Sequence, residues 1–326
     1  MHSALEIMRI PTAPHHEDLV AAFVRAWLQR LKIPFREDRG GNILAEYRCG
    51  RAKTPVAFSV HMDHPGFEVM AVRRDTLHCR FLGGVPPSYF KKGVPVEFFD
   101  GEGHCTGWAR IAQVAHWAPG RRDIHLRRVR GEIVPGQFGM WKLPPLRFDR
   151  KSRRVVGRAC DDLAGCAALL AALQALRKRR SACRFFAIFT RREEIGLCGA
   201  FEVAKSGKLS KSIPIVSIET SRAFAHAPQG AGPIVRVGDR SSIFDPGLTK
   251  HLCEVAERLK TPFQRKLMDG GTCEATAFLE ADYTAGGICV ALGNYHNCGR
   301  NGRIAAENIH EGDWQGLVRL IVEAAS

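Results

Sequence analysis

CDDLAGCAALLAALQALRKRRSACRFFAIFT, residues 160–190, is a long helical pattern followed by a strand of the buried type at 184–190. The same alternation continues downstream, with a strand at 213–218, a helix near 246–260, a strand at 288–292 and a last helix at about 314–325. Upstream, Leu19, Val20, Phe23, Val24, Trp27, Leu28 and Leu31 recur at helical spacing, and Ile33-Pro34 ends that helix. After the turn signal Gly40-Gly41-Asn42 come a strand at 43–47 and an apolar run at 56–60 that stops at His61. Strands alternating with helices predict an α/β fold, a mostly parallel central sheet flanked by helices.

Between these two stretches the texture changes. Short β-like runs at 67–72, 94–99 and 124–129 are separated by Gly, Pro and charge, and no helical pattern interrupts them. The expected organisation is therefore one α/β domain from residues 1–66 and 156–326, with a small β domain, 67–155, inserted into it.

Composition narrows the function. The chain has 326 residues, 45% apolar and 25% charged, and shows no repeat or low-complexity tract, so it should fold throughout. No signal-peptide pattern or membrane-length apolar run is visible, which leads to the expectation of a cytoplasmic protein without a membrane partner. Eleven cysteines without a CxxC pair fit reduced thiols, so metal ligands are sought among His, Asp and Glu. The net charge of +15 comes from clusters such as 127–130, 147–154 and 177–180. No nucleic-acid module accompanies them, so they read as a solvated basic face and no nucleic-acid partner is expected. Trp108, Trp117 and Trp141 in the inserted domain read as packing or subunit contacts, and Gly230 to Gly232 lacks the spacing of a phosphate loop.

Ligands of an open α/β sheet bind outside the carboxyl ends of its strands. His61, Glu193-Glu194, Glu219 and His296 each follow a predicted strand, and Asp161-Asp162 opens the long helix on the same rim. Taken singly, each has an ordinary explanation: a surface histidine, a helix N-cap, a solvated carboxylate. Their joint placement at one edge argues for a metal site. Mixed His and carboxylate ligands suit zinc, cobalt or manganese.

HMDHPGF (61–67), CDDLAGCAAL (160–169), TRREEIGLCGA (190–200), VSIET (216–220), GGTCEA (270–275) and the late His296 resemble, in order, the co-catalytic zinc aminopeptidases of the tetrahedral and glutamyl aminopeptidase family. The early β insertion is similar to that family's second domain, a small barrel-like unit in a zinc-exopeptidase fold. The resemblance implies two divalent ions per subunit, foremost zinc, with Asp161 bridging them, His61 and Glu219 completing one site, and Glu194 and His296 the other. It implies a cis Asp161–Asp162 bond, Glu193 as general base, and Asp63 as the carboxylate that orients the His61 imidazole. The implied activity is removal of N-terminal residues from short peptides by a homo-oligomer whose β domain supplies contacts or a lid.

Three departures from the family pattern stand out. His64 stands where HMDE has Glu, Glu219 replaces the usual Asp, and Cys273-Glu274 interrupts GGTDA. In related enzymes Glu at the fourth ligand accompanies carboxypeptidase or deacylase action, which remains the alternative, beside a scaffold that has lost catalysis. His64 reads either as an extra site group or as a surface residue, and Cys273 as structural.

Overall fold

The computed structural model describes residues 2–51, 54–144 and 146–325. Helix α1 (Asp18–Arg30) precedes strands β1 (Phe35–Glu37), β2 (Ile43–Cys49) and β3 (Val56–His61). The inserted region supplies β4 (Gly66–Arg73), β5 (Thr76–Leu82), β6 (Pro95–Phe99), β7 (Cys105–Ala118), β8 (Arg121–Gly131) and β9 (Phe138–Trp141). There follow β10 (Arg147–Asp149), β11 (Arg154–Gly157), α2 (Leu163–Arg179), β12 (Cys183–Thr190), α3 (Cys198–Lys205), β13 (Ile215–Arg222) and β14 (Ile234–Gly238). Last come α4 (Pro246–Arg258), β15 (Gln264–Leu267), α5 (Glu274–Glu280), β16 (Ala285–Gly293), β17 (Glu307–His310) and α6 (Glu311–Ala324).

Local chemistry explains the helix starts. The Asp162 side chain accepts the Gly165 N–H at 3.2 Å to cap α2, and Arg177, Lys178 and Arg179 in its last turn complement the helix dipole. Asp245 caps α4 through the Leu248 N–H at 2.7 Å, with Pro246 at the first helical position. Helix α2 is buried over almost its whole length, against β3, α6 and the N-terminal 3₁₀ segment His2–Arg9. That layer shares a core with one face of the sheet, including Phe58, Phe185, Leu169 and Trp314. On the opposite face α3 and α5 bury a second core around Ile188, Ile215 and Phe278.

The sheet is mixed, which corrects the expectation of a mostly parallel one. Its order is β1-β2-β12-β3-β13-β16-β17-β11-β10, with β14 on β16 and β15 on β14. Parallel pairing is confined to the centre, β12-β3-β13-β16, and to β14-β15. The flanks run antiparallel: β1 with β2, β2 with β12, β16 with β17, β17 with β11 and β11 with β10. Short turns join β1 to β2 and β10 to β11, and such connections permit only antiparallel neighbours. The central strands are long apolar runs that dominate the sequence signal, whereas β1, β10, β11 and β17 have three or four residues each.

The inserted strands close into a barrel, β4-β5-β8-β7-β6-β9. Phe67, Phe81, Phe90, Phe98 and Trp141 fill it, so Trp141 is a packing residue. Strands β10 and β11 lie outside the barrel and extend the main sheet. Among the described residues no helix is long and apolar enough to cross a membrane, and the eleven cysteines are free thiols.

Candidate metal centre

Because β3, β12, β13 and β16 run parallel, their carboxyl ends share one edge. His61 closes β3 and pairs in register with Thr190, the last residue of β12. The chain then turns through Arg191 and Arg192 to deliver Glu193 and Glu194. Glu219 lies within β13, which continues to Arg222, opposite Cys289 of β16. His296 follows β16 in a short 3₁₀ turn. Asp161 precedes α2, and the Asp161–Asp162 bond is cis.

These side chains converge. His61 Nε2 lies 3.5 Å from Asp161 Oδ1 and 3.8 Å from Glu219 Oε2. On the other side of the same carboxylate, His296 Nε2 lies 3.4 Å from Asp161 Oδ2 and 3.1 Å from Glu194 Oε1. Asp161 thus faces both histidines, one through each oxygen. His61, Asp161 and Glu219 can offer three ligand atoms within 4.8 Å of one another, as can Asp161, Glu194 and His296, and as can His61, Glu193 and Glu194.

The donor set fits divalent cations. Asp161 Oδ1 and Glu219 Oε1 are buried without a hydrogen-bond partner, and an unmatched buried carboxylate oxygen is costly. Burial opposes charge on His61 and His296, yet the carboxylates around them, led by Glu193 and Glu194 respectively, hold both imidazoles well above the usual range. Burial first, then the crowd of Glu219, Glu194 and Asp63, pushes Glu193 well up. Such an excess of carboxylate is what bound divalent cations neutralise.

The supports behind the centre are specific. His61 Nδ1 lies 3.1 Å from the main-chain oxygen of Asp63, and His296 Nδ1 lies 2.8 Å from that of Gly84, so each ring turns Nε2 inward. The Asp63 carboxylate, 3.6 Å from the His61 ring, accepts the main-chain N–H of Glu193 at 2.9 Å and of Glu194 at 3.0 Å. Its strongest contacts therefore hold the Glu193-Glu194 turn. Cys273 is buried, and burial pushes its thiol far above the range of a nucleophile.

A cavity of about 380 Å³ opens beside these groups, lined also by Arg222, Arg236, Arg240, Phe224, Met268 and Tyr295. A family model described as M42 glutamyl aminopeptidase matches residues 128–310, more than half of the chain. The chain belongs to that family. A relative from Acetivibrio thermocellus, named provisionally as an aminopeptidase, is 31% identical to this M42 chain over 176 residues. The match spans 52% of this chain and about half, 51%, of that relative. Among solved structures, the TET aminopeptidase of a marine sediment archaeon of the Thaumarchaeota superposes with a TM-score of 0.84 at 19% identity, over 99% of this chain and 96% of that one. The Pyrococcus horikoshii TET1 peptidase, described as assembling into a tetrahedron or a large octahedral shell, gives 0.81 at 22% identity, over 98% and 97%. At these identities the likeness establishes the fold.

Several residues that hold the centre of this M42 protein give no sequence signal. Glu307 of β17 is buried and accepts the N–H groups of Cys160 at 2.7 Å and Asp161 at 3.1 Å. Burial pushes its carboxyl up to about 7. Glu17 receives Arg191 Nε at 2.7 Å and the Arg192 N–H at 3.0 Å, while Asn42 Oδ1 receives the Arg191 N–H at 2.9 Å. Thr190 Oγ1 donates to Glu274, the residue that interrupts the expected GGTDA pattern. Glu307, Glu17 and Asn42 lie far along the chain from the residues they support, so only the fold reveals their roles.

Proposed function

We propose that this M42 protein is a dinuclear metal-dependent aminopeptidase that removes N-terminal residues from short peptides in the cytoplasm. The observation that carries the reading is Asp161, whose two oxygens face two separate groups of ligands, His61 with Glu219 and His296 with Glu194. His61, Asp161 and Glu219 would hold one ion and Asp161, Glu194 and His296 the other. Zinc suits the set, as do cobalt and manganese. Two such ions make a water nucleophilic near neutral pH and polarise the scissile carbonyl.

The chain's own groups do the rest. Glu193 lines the cavity, with Oε2 4.0 Å from His61 Nε2. It takes the proton of the attacking water as the new C–O bond forms and returns it to the amine nitrogen as the C–N bond breaks. Asp63 fixes the backbone of Glu193 and Glu194 and so aims both side chains. Arg222, Arg236 and Arg240 give the cavity wall a positive lining.

The test is a metal-reconstituted preparation assayed on a broad peptide library, with metal content measured in parallel. About two ions per subunit and progressive release of N-terminal residues are expected. Release of C-terminal residues or cleavage of acylated amino acids would instead support the carboxypeptidase or deacylase alternative that Glu219 raises. A protein that binds no divalent ion would be a scaffold. The dodecamer and the shells described for proteins of this fold also support a homo-oligomer. Light scattering tests this, and a monomer at working concentration would refute it.

A further inference from the structure

His64 is fully buried against Asp161 of the candidate centre. Its Nδ1 lies 2.7 Å from the main-chain oxygen of Asp161, and its Nε2 lies 3.1 Å from Oδ1 of Asn297. The orientation of the Asn297 amide is fixed independently. Its Nδ2 donates to the carbonyls of Arg158 at 3.0 Å and Ala305 at 3.3 Å, and carbonyls can only accept, so the amide oxygen is the atom turned to His64. Both ring nitrogens therefore meet acceptor oxygens, and a ring N–H can be donated to either.

The three groups so joined belong to three separate ligand-bearing segments. His64 lies three residues beyond His61, Asp161 is the central carboxylate, and Asn297 follows His296. The third segment needs restraint. His296 and Asn297 are consecutive non-glycine residues in the left-handed region, at φ 53° and 61°, a conformation that persists where surrounding contacts impose it. The Asp161 peptide is gripped from both ends, its N–H by Glu307 and its carbonyl by His64.

We propose that His64 is a positioning residue, a buried ring set between the Asp161 carbonyl and Asn297 that holds the bridging carboxylate and His296 in register for metal. The assignment rests on the metal-centre reading above. It also accounts for a departure from the family pattern. A glutamate here, as in HMDE, would turn carboxylate oxygens toward two acceptors, so His64 and the orientation of Asn297 form a matched pair in this chain.

The test compares the parent with His64→Phe, His64→Asn, His64→Gln and His64→Glu. Zinc dissociation constants come from competition with a chromophoric chelator, and unfolding curves of the metal-free proteins confirm that each variant is folded. Phe fills the space and donates nothing, so at least one zinc should bind about 10–100-fold more weakly, the usual worth of a residue that orients a ligand. Asn places an amide nitrogen near the Nδ1 position and keeps the bond to Asp161, whereas Gln places one near Nε2 and keeps the bond to Asn297. Each should fall between Phe and the parent, and Glu should be no better than Phe. If Phe does not fold, the Asn and Gln constants decide. Parental zinc constants in all folded variants, with or without loss of metal-free stability, would reduce His64 to a packing residue and overturn the proposal while leaving the metal centre standing. A parent that binds no zinc would overturn both.

Discussion

Replacing Asp63 by Asn separates two accounts of that carboxylate. In one, Asp63 acts by orienting the His61 imidazole. In the other it holds the turn that presents Glu193 and Glu194. The distances favour the turn: 2.9 and 3.0 Å to two main-chain N–H groups, against 3.6 Å to the ring, whose nearer partner is the Asp63 main-chain oxygen at 3.1 Å. The amide introduced by Asp63→Asn would keep one acceptor and turn an NH₂ group against the other N–H, inside a fully buried site. A hydrogen bond to a charged acceptor contributes roughly 1.5–3 kcal/mol; losing one, weakening the second and stranding a buried donor should cost about 2–4 kcal/mol of stability. The main-chain oxygen that meets His61 is unchanged by the substitution. Urea unfolding of the metal-free protein reads the stability, and zinc content and kcat read the site. Expected are the stability loss, weaker zinc binding on the Glu194 side and a kcat lowered by at least about tenfold through misplacement of Glu193. Unchanged stability together with loss of zinc from Asp63→Asn would refute the argument and restore the imidazole as the principal partner.

Other outcomes follow from the same geometry. Glu193→Gln should retain metal while lowering hydrolysis about 10²–10⁴-fold, as expected for loss of a positioned base, whereas Glu194→Gln should lose metal first; metal stoichiometry measured beside rates distinguishes them, and the reverse pattern would exchange their roles. Gly199→Ala would put a Cβ 2.4 Å from the Arg191 oxygen and 2.5 Å from Asn42 Oδ1, so it should destabilise the fold by about 1–3 kcal/mol, the usual range for overpacking, visible as a lower denaturation midpoint. Stripping metal with a chelator should lower the melting temperature, because carboxylates gathered around Asp161 then lose the cations that bind only the folded state; an identical melting temperature with and without zinc would contradict the site.

The central elements were legible because each carried its own period. Buried apolar strands such as Val56–His61 and Cys183–Thr190 and the long apolar helix Leu163–Arg179 announce themselves over six or more residues. Strands of three or four residues do not, and the direction in which a neighbour runs is settled by pairing across the sheet. That is why the antiparallel flanks escaped the sequence. The groups that converge were visible for a related reason, since His61, Glu193, Glu194, Glu219 and His296 lie in or just beyond strands that end on one edge. Their supports were not. Glu307, Glu17 and Asn42 act across 130 or more residues of chain, on backbone groups rather than on a motif. His64 could be read as a surface residue until its two partners, at 161 and 297, were seen on either side of it.

The Gly84 carbonyl that meets His296 belongs to the connection between the barrel strands Thr76–Leu82 and Pro95–Phe99. The insertion is therefore not a module that can be excised to leave a smaller working protein. Its backbone chooses the tautomer of a histidine in the other unit, and Tyr89 reaches across in the same way to the carbonyl of Gly299. Under the proposed assignment of His296 as a ligand, linkage makes the dependence reciprocal: whatever bends that connection would change how tightly the His296 side holds a cation, and occupancy there would stiffen the connection by the same free energy. A graft of the barrel from a relative would have to carry this hinge with it, matched to the loop after His296, or the graft would fold and the centre would not load.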